Sequence, residues 1–182
     1  MLDHQTSRPP EPWHGLLCAV DDQLEEPTSL ICLGGFVLVT VYHVPRVTSD
    51  IDFISVIPDP QGERLIQLAG PESGLAAKYG VNLQYVTVQE CPDSYEDRIE
   101  EIFPGVYKHL RLLALEIHDI VLSKLTRNSP KDNRDVEYLG KAGLISAETL
   151  RGRYQSELRP YLARTDWHDV TLQLWLDSFA KR

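Results

Sequence analysis

The sequence predicts an α+β fold, because β-branched apolar stretches concentrate before residue 115 and helical periodicity runs from residue 117 onward. No internal repeat or low-complexity segment breaks this order, which excludes solenoid and linker architectures. The boundary divides the chain into a core, residues 1–115, and a helical C-terminal subdomain, residues 116–182.

Pro9, Pro10 and Pro12 make the first dozen residues an irregular lead-in. Leu16, Leu17, Val20 and Leu24 share one helical face, so an amphipathic helix is expected over about 13–25. Ser29 to Leu33 is a short apolar strand ended by Gly34-Gly35. Phe36 to Val44 suits either state: its valines favour a strand, and a helix after the glycines would also bury it. Ile51 to Ile57 is a β-branched strand stopped by Pro58-Asp59-Pro60-Gln61-Gly62. Residues 62–79 look helical, interrupted at Gly70-Pro71. Leu83, Tyr85 and Thr87, with the valines between them, form the next strand. Ser94 to Phe103 predicts a helix, with Ser94 as N-cap and Asp97 three residues on. His109 to Leu115 is a further strand.

The helical part follows in segments. Ile117, Ile120, Val121 and Leu125 share a face, then Val136 and Leu139, then Leu150, Tyr154, Leu158 and Tyr161, then Val170, Leu174 and Leu176. Trp167 and Trp175 on the last helix are expected in the core.

The chain of 182 residues has 42% hydrophobic and 25% charged residues, an ordinary globular balance. The longest apolar run, Leu30 to Val44, is broken by Gly34, Gly35 and Tyr42-His43, so no membrane span or membrane partner is expected. The start lacks a signal-peptide pattern, and Cys18, Cys32 and Cys91 lack metal spacing; reduced thiols in a cytoplasm are expected. Cys91 has no histidine near it in sequence and is not expected to be a nucleophile. A net charge of −9 argues against a general nucleic-acid coat. The charge is uneven. Residues 98–182 hold 14 of the 18 Lys and Arg with 12 acids, and residues 1–97 hold 4 bases with 15 acids. A mildly basic half suits a phosphate-bearing partner, although solvated helices carry such residues anyway.

The chemistry centres on Arg46-Val47-Thr48-Ser49-Asp50-Ile51-Asp52-Phe53, preceded by Gly34-Gly35. Strand side chains alternate, so Asp50 and Asp52 project from one face while Ile51 points to the core. Their Cα atoms lie about 7 Å apart in such a strand, close enough to converge on one or two Mg²⁺ ions. The ions would bridge a triphosphate and neutralise its leaving group. Glycines admit phosphates close to the backbone, and a helix start after them favours the anion. Asp-x-Asp alone also occurs as solvated surface, and Gly-Gly as a tight turn. Their order, with 14 residues between Gly35 and Asp50, is the specific part.

In that order and spacing the sequence resembles the DNA polymerase β-like nucleotidyltransferase superfamily. The resemblance implies a small mixed sheet with flanking helices, in which Asp50 and Asp52 bind Mg²⁺ or Mn²⁺. Gly34, Gly35, Arg46, Thr48 and Ser49 would then seat the nucleoside triphosphate. A second block, Asp119-Ile120-Val121-Leu122-Ser123-Lys124-Leu125, then Arg127, then Lys131-Asp132-Asn133-Arg134-Asp135-Val136, is similar to the bacterial toxin-type (abortive-infection, AbiEii-like) branch. That branch implies that Lys124 contacts the triphosphate and that Asp132 or Asp135 assists catalysis. It also implies a tRNA end as one acceptor and a cognate antitoxin as a partner. The resemblance covers roughly residues 29–140.

One departure stands out. Complete members carry a third carboxylate on a later strand, where Asn82 and Gln84 stand here and Glu90 is the nearest acid. The expected function is metal-dependent nucleotidyl transfer to a hydroxyl. The alternatives are a non-catalytic nucleotide-binding or interaction module, which the missing acid favours, and an antibiotic-type small-molecule nucleotidyltransferase. Arg98 is a further residue that could reach a phosphate, while His109, His118 and His168 lack ligand spacing and are expected to be structural.

Overall fold

The computed structural model describes residues 8–86 and 90–179. It divides into two compact units: residues 1–88 with 99–114, and residues 89–98 with 115–182. The first unit is α+β and holds a mixed five-stranded sheet.

In the first unit, α1 (Trp13–Asp21) buries Leu16, Leu17 and Val20. The carboxylate of Asp21 accepts the backbone N–H groups of Lys108, His109 and Leu110 at 2.7–2.8 Å, tying this helix to the last strand of the sheet. Burial pushes the Asp21 carboxyl up, but those three donors hold it below its ordinary value. Strand β1 (Thr28–Cys32) leads into α2 (Gly34–Thr40). The ambiguous valine-rich segment, Phe36 to Val44, is therefore helical as far as Thr40 and irregular beyond it. Gly34, at φ +69°, turns the chain, and Gly35, Phe36, Val37, Leu38 and Thr40 are all buried. Burial on every side outweighs the strand preference of the valines.

Strand β2 (Asp50–Ile57) is followed by α3 (Gln61–Ala69), α4 (Gly74–Tyr79) and β3 (Asn82–Tyr85). The expected break at Gly70-Pro71 lies between α3 and α4, and Ser73 caps α4 by accepting from Ala76 N at 3.0 Å. Thr87, expected in the same strand as Leu83 and Tyr85, lies outside the described residues. The unit ends with β4 (Glu100–Ile102) and β5 (Leu110–Ala114). The order is β3-β2-β1-β5-β4; β1 pairs antiparallel with β2 and parallel with β5, and β2 pairs parallel with β3.

The helix expected over 94–103 is not formed. A single 3₁₀ turn, Tyr95–Arg98, precedes β4, which pairs antiparallel with β5. The sheet edge buries Ile102 and Phe103 and satisfies the backbone there, and this tertiary gain overrides local helix signals.

In β2, Ile31 pairs with Ser55 while Cys32 pairs with Phe53, so Ile54 is an extra residue. This bulge shifts the alternation by one: Ile51, Phe53 and then Val56 are buried. Asp50 and Asp52 lie before the bulge, half-buried, in phase with each other and opposite to the Ile51–Phe53 face.

The second unit contains α5 (Ile117–Ser123), α6 (Pro130–Lys141), α7 (Ala147–Arg153) and α8 (Thr165–Phe179). A π turn (Tyr154–Leu158) and a 3₁₀ turn (Arg159–Tyr161) join α7 to α8. Ile117, Ile120, Val121, Leu125, Val136, Leu139, Leu150, Tyr154 and Leu158 are buried as the periodicity predicts. Tyr161 is exposed instead. On α8 the inward face is His168, Thr171, Leu172, Trp175 and Leu176, while Trp167, Val170 and Leu174 face outward. Leu174 and Leu176 are two residues apart and so point to different sides of a helix. Among the described residues no helix is long and apolar enough to cross a membrane.

Candidate active site

The first unit brings Gly34, Gly35, Arg46, Thr48, Asp50 and Asp52 together. Leu33 N donates to Asp52 O at 3.0 Å, which holds the start of α2 against β2. Gly34 sits so close that a Cβ built on it would stand 2.5 Å from Asp52 Oδ2. A Cβ on Gly35 would stand 2.6 Å from Arg46 Nη2 and 2.7 Å from Thr48 Oγ1. The two glycines thus form one wall of a small cradle; its other wall carries a carboxylate, a guanidinium and a hydroxyl. Any larger residue at either position would fill it.

Asp50 is fixed from two sides. Ser49 Oγ and Asn82 Nδ2 each donate to Asp50 Oδ1 at 3.0 Å. The parallel register sets the second contact, since β2 and β3 pair Asp50 with Asn82 and Asp52 with Gln84. The amides expected in place of a third acid therefore flank the pair, and Asn82 serves it as a hydrogen-bond donor. This role was invisible in the sequence because it depends on the β2–β3 register. Among the described residues no group of three or more His, Cys, Asp or Glu side chains could hold a metal ion.

The second unit assembles the other sequence-derived residues. Lys124 Nζ lies 3.0 Å from Asp132 Oδ1 and 3.2 Å from Asp135 Oδ2, and all three side chains are buried. Asp132 is the third residue of a capping box: Ser129 Oγ accepts from Asp132 N, and Asp132 Oδ2 accepts from Ser129 N at 3.1 Å. Arg127 donates to both of its oxygens, at 2.6 and 2.8 Å. Burial pushes the Asp132 carboxyl up, but Arg127, Lys124 and Ser129 hold it well below the usual carboxylate range. Asp132 is thus an ionised cap and ion-pair centre.

Arg98, considered from sequence as a phosphate contact, is committed within its own unit. Its guanidinium forks onto the buried Asp119 at 2.8 and 3.0 Å and reaches Glu157 Oε2 at 2.7 Å. Arg153 Nη1 also donates to Asp119 at 3.0 Å. His118 Nε2 accepts from Ser146 N at 2.8 Å while Nδ1 meets Glu116 at 2.7 Å, a structural role as expected. The three cysteines are free thiols. Burial and nearby acids raise the pKa of each, Cys91 to about 12 through burial and then Asp119, so none is a ready nucleophile.

Glu90, the remaining acid considered from sequence, is exposed. Residues 16–177 match a family model described as "Nucleotidyltransferase of unknown function (DUF6036)". No curated protein and no solved structure matches the chain. With the match spanning nearly the whole length, the chain belongs to this family of nucleotidyltransferases.

Proposed function

We propose that the chain is a metal-dependent nucleotidyltransferase, which moves a nucleotidyl group from a nucleoside triphosphate to an acceptor hydroxyl. The observation that carries this reading is the cradle between Gly34-Gly35 and β2, where two same-face carboxylates, a guanidinium and a hydroxyl converge.

The residues fit a hard divalent cation. Asp50 and Asp52 supply oxygen donors, and both described hydrogen bonds to Asp50 fall on Oδ1. Mg²⁺ or Mn²⁺ would be held there jointly with the triphosphate, since two carboxylates make no full cage. When bound, such an ion neutralises charge on the triphosphate and its pyrophosphate leaving group.

The chain's own groups have separable tasks in this reading. Gly34 and Gly35 admit phosphate oxygens close to the backbone, and Arg46 neutralises them. Thr48 offers a hydroxyl donor beside Gly35, and Ser49 and Asn82 keep Asp50 oriented at the rim. From the second block, Lys124 is assigned to the triphosphate and Asp132 or Asp135 to the acceptor. The resemblance to toxin-type enzymes, with the basic bias after residue 98, makes a tRNA end the first acceptor to test. The same resemblance suggests a toxin paired with an antitoxin.

The second reading is a nucleotide-binding module without transfer, favoured by the amides at Asn82 and Gln84 beside the carboxylate pair. Labelled triphosphates offered with total RNA, cell protein and small hydroxylated compounds separate the two. Transfer that depends on Mg²⁺ or Mn²⁺ and vanishes in Asp52→Asn supports the enzyme. Metal-dependent binding lost in Asp52→Asn, with no transfer to any acceptor, supports the module. Undiminished metal-dependent binding by Asp52→Asn removes the site assignment itself.

A further inference from the structure

The place opposite Asp50 on β3 is filled by an amide whose direction the carboxylate decides. A carboxylate accepts hydrogen bonds, so Asn82 turns its Nδ2 group to Asp50 Oδ1, at 3.0 Å, and its own Oδ1 away. That Oδ1 is buried, closed to solvent, and accepts no hydrogen bond among the described residues. A buried acceptor left unmet is costly, and an apolar side chain at this place would avoid the cost. What the site gains from the asparagine is the N–H at Asp50.

That N–H limits what Asp50 can do. Ser49 Oγ donates to the same oxygen, also at 3.0 Å. A carboxylate oxygen offers about two lone-pair sites, and two donors fill them. Oδ1 then has none left for a cation, so Asp50 cannot bridge two ions through both of its oxygens. Two dications about 4 Å apart repel one another, and such a pair needs anionic oxygens shared between them. Across the same strand pair, Gln84 stands opposite Asp52 and brings no charge. Among the described residues no third acid, histidine or cysteine joins the two aspartates to hold a metal. The Arg46 guanidinium, which shares the cradle, lowers its negative charge further.

We infer, resting on the nucleotidyl-transfer reading of this site, that the cradle holds a single divalent cation with each triphosphate and that the Asn82 amide closes the second position. The acceptor hydroxyl is then left without a cation of its own, and the proton it gives up goes to a side chain or to water.

Mn²⁺ and the α,β-imido analogues of ATP, GTP, CTP and UTP test this, since the analogues resist transfer at the α-phosphorus. Mn²⁺ is titrated into the full chain, held in excess over each analogue in turn. Equilibrium dialysis counts the ions, with those bound without analogue subtracted, and electron paramagnetic resonance reads their coupling. The wild type should hold one Mn²⁺ per bound analogue, with a spectrum free of spin coupling. Asn82→Asp, which replaces the donor by a carboxylate of the same shape, should hold two, seen as a coupled pair about 4 Å apart. A coupled pair in the wild type overturns the inference and leaves the nucleotidyl-transfer reading intact. A folded Asn82→Asp chain that still holds one ion overturns it too, because the limit then lies elsewhere than Asn82. Where circular dichroism shows the variant unfolded, the wild-type spectrum decides by itself. Absence of any metal-dependent analogue binding by the wild type removes the nucleotidyl-transfer reading itself, and the inference with it.

Discussion

Asn82 donates its side-chain amide to Asp50 Oδ1 across the β2–β3 pair, so the residue standing where an acid was expected orients the acid opposite it. Outer partners of metal-binding carboxylates fix ligand direction, and their loss costs roughly 10–100-fold in metal affinity or activity. Asn82→Ala should therefore weaken metal-dependent triphosphate binding by roughly that factor. Calorimetric titration of triphosphate with and without Mg²⁺ measures it. Wild-type affinity in the variant would leave Asn82 as an ordinary edge-strand residue.

Gly34→Ala tests the cradle itself. At φ +69° an alanine is strained by about 1–2 kcal/mol, and its Cβ would press on Asp52 Oδ2 from 2.5 Å. Either Asp52 turns away or the α2 start moves, and misplacements near 1 Å cost about 100-fold in such chemistry. The expected outcome is a fold retained by circular dichroism, with metal-dependent triphosphate binding and any transfer activity strongly reduced. Full activity would mean that the close approach of Gly34 to Asp52 has no part in function.

The α+β class was legible because β-branched runs and helical periodicity occupy different stretches of the chain. Two signals misled. Ser94 with Asp97 resembles a helix start, but pairing with β5 at the sheet edge decides the fate of Glu100–Ile102. Val170 and Leu174 are apolar at helical spacing, yet periodicity alone does not say which of two apolar faces of α8 meets the core. In the candidate site, the shared face of Asp50 and Asp52 follows from strand alternation, which is local. The Asn82 contact, the fork of Arg98 onto Asp119 and the bulge at Ile54 join residues distant in sequence or depend on register, and no local pattern encodes them.

Glu116 gives the second unit a defined response to acid. It caps α5 by accepting from His118 N at 3.0 Å, and its carboxylate also meets the His118 ring and Arg153. Burial pushes its carboxyl up, but hydrogen bonds and charge from His118 and Arg153 outweigh this and bring it from 4.5 to about 2. A carboxyl depressed in the folded state binds fewer protons there than in the unfolded chain. Its stabilisation is therefore complete above its ordinary value of 4.5 and is lost as pH falls toward about 2. At about 1.4 kcal/mol per unit, reduced for partial solvent access, the contribution is about 2 kcal/mol. Urea unfolding followed by circular dichroism, stepped from neutral pH to about pH 2, compares wild type with Glu116→Gln. The variant should be less stable by about 2 kcal/mol at neutral pH, and the two curves should converge as pH approaches 2. The other depressed carboxyls, Asp21, Glu101, Asp132 and Asp169, titrate in both proteins and cancel in the difference. Parallel curves down to about pH 2 would show that Glu116 carries no proton-linked stability, and the ion pairs around it would then be neutral to folding.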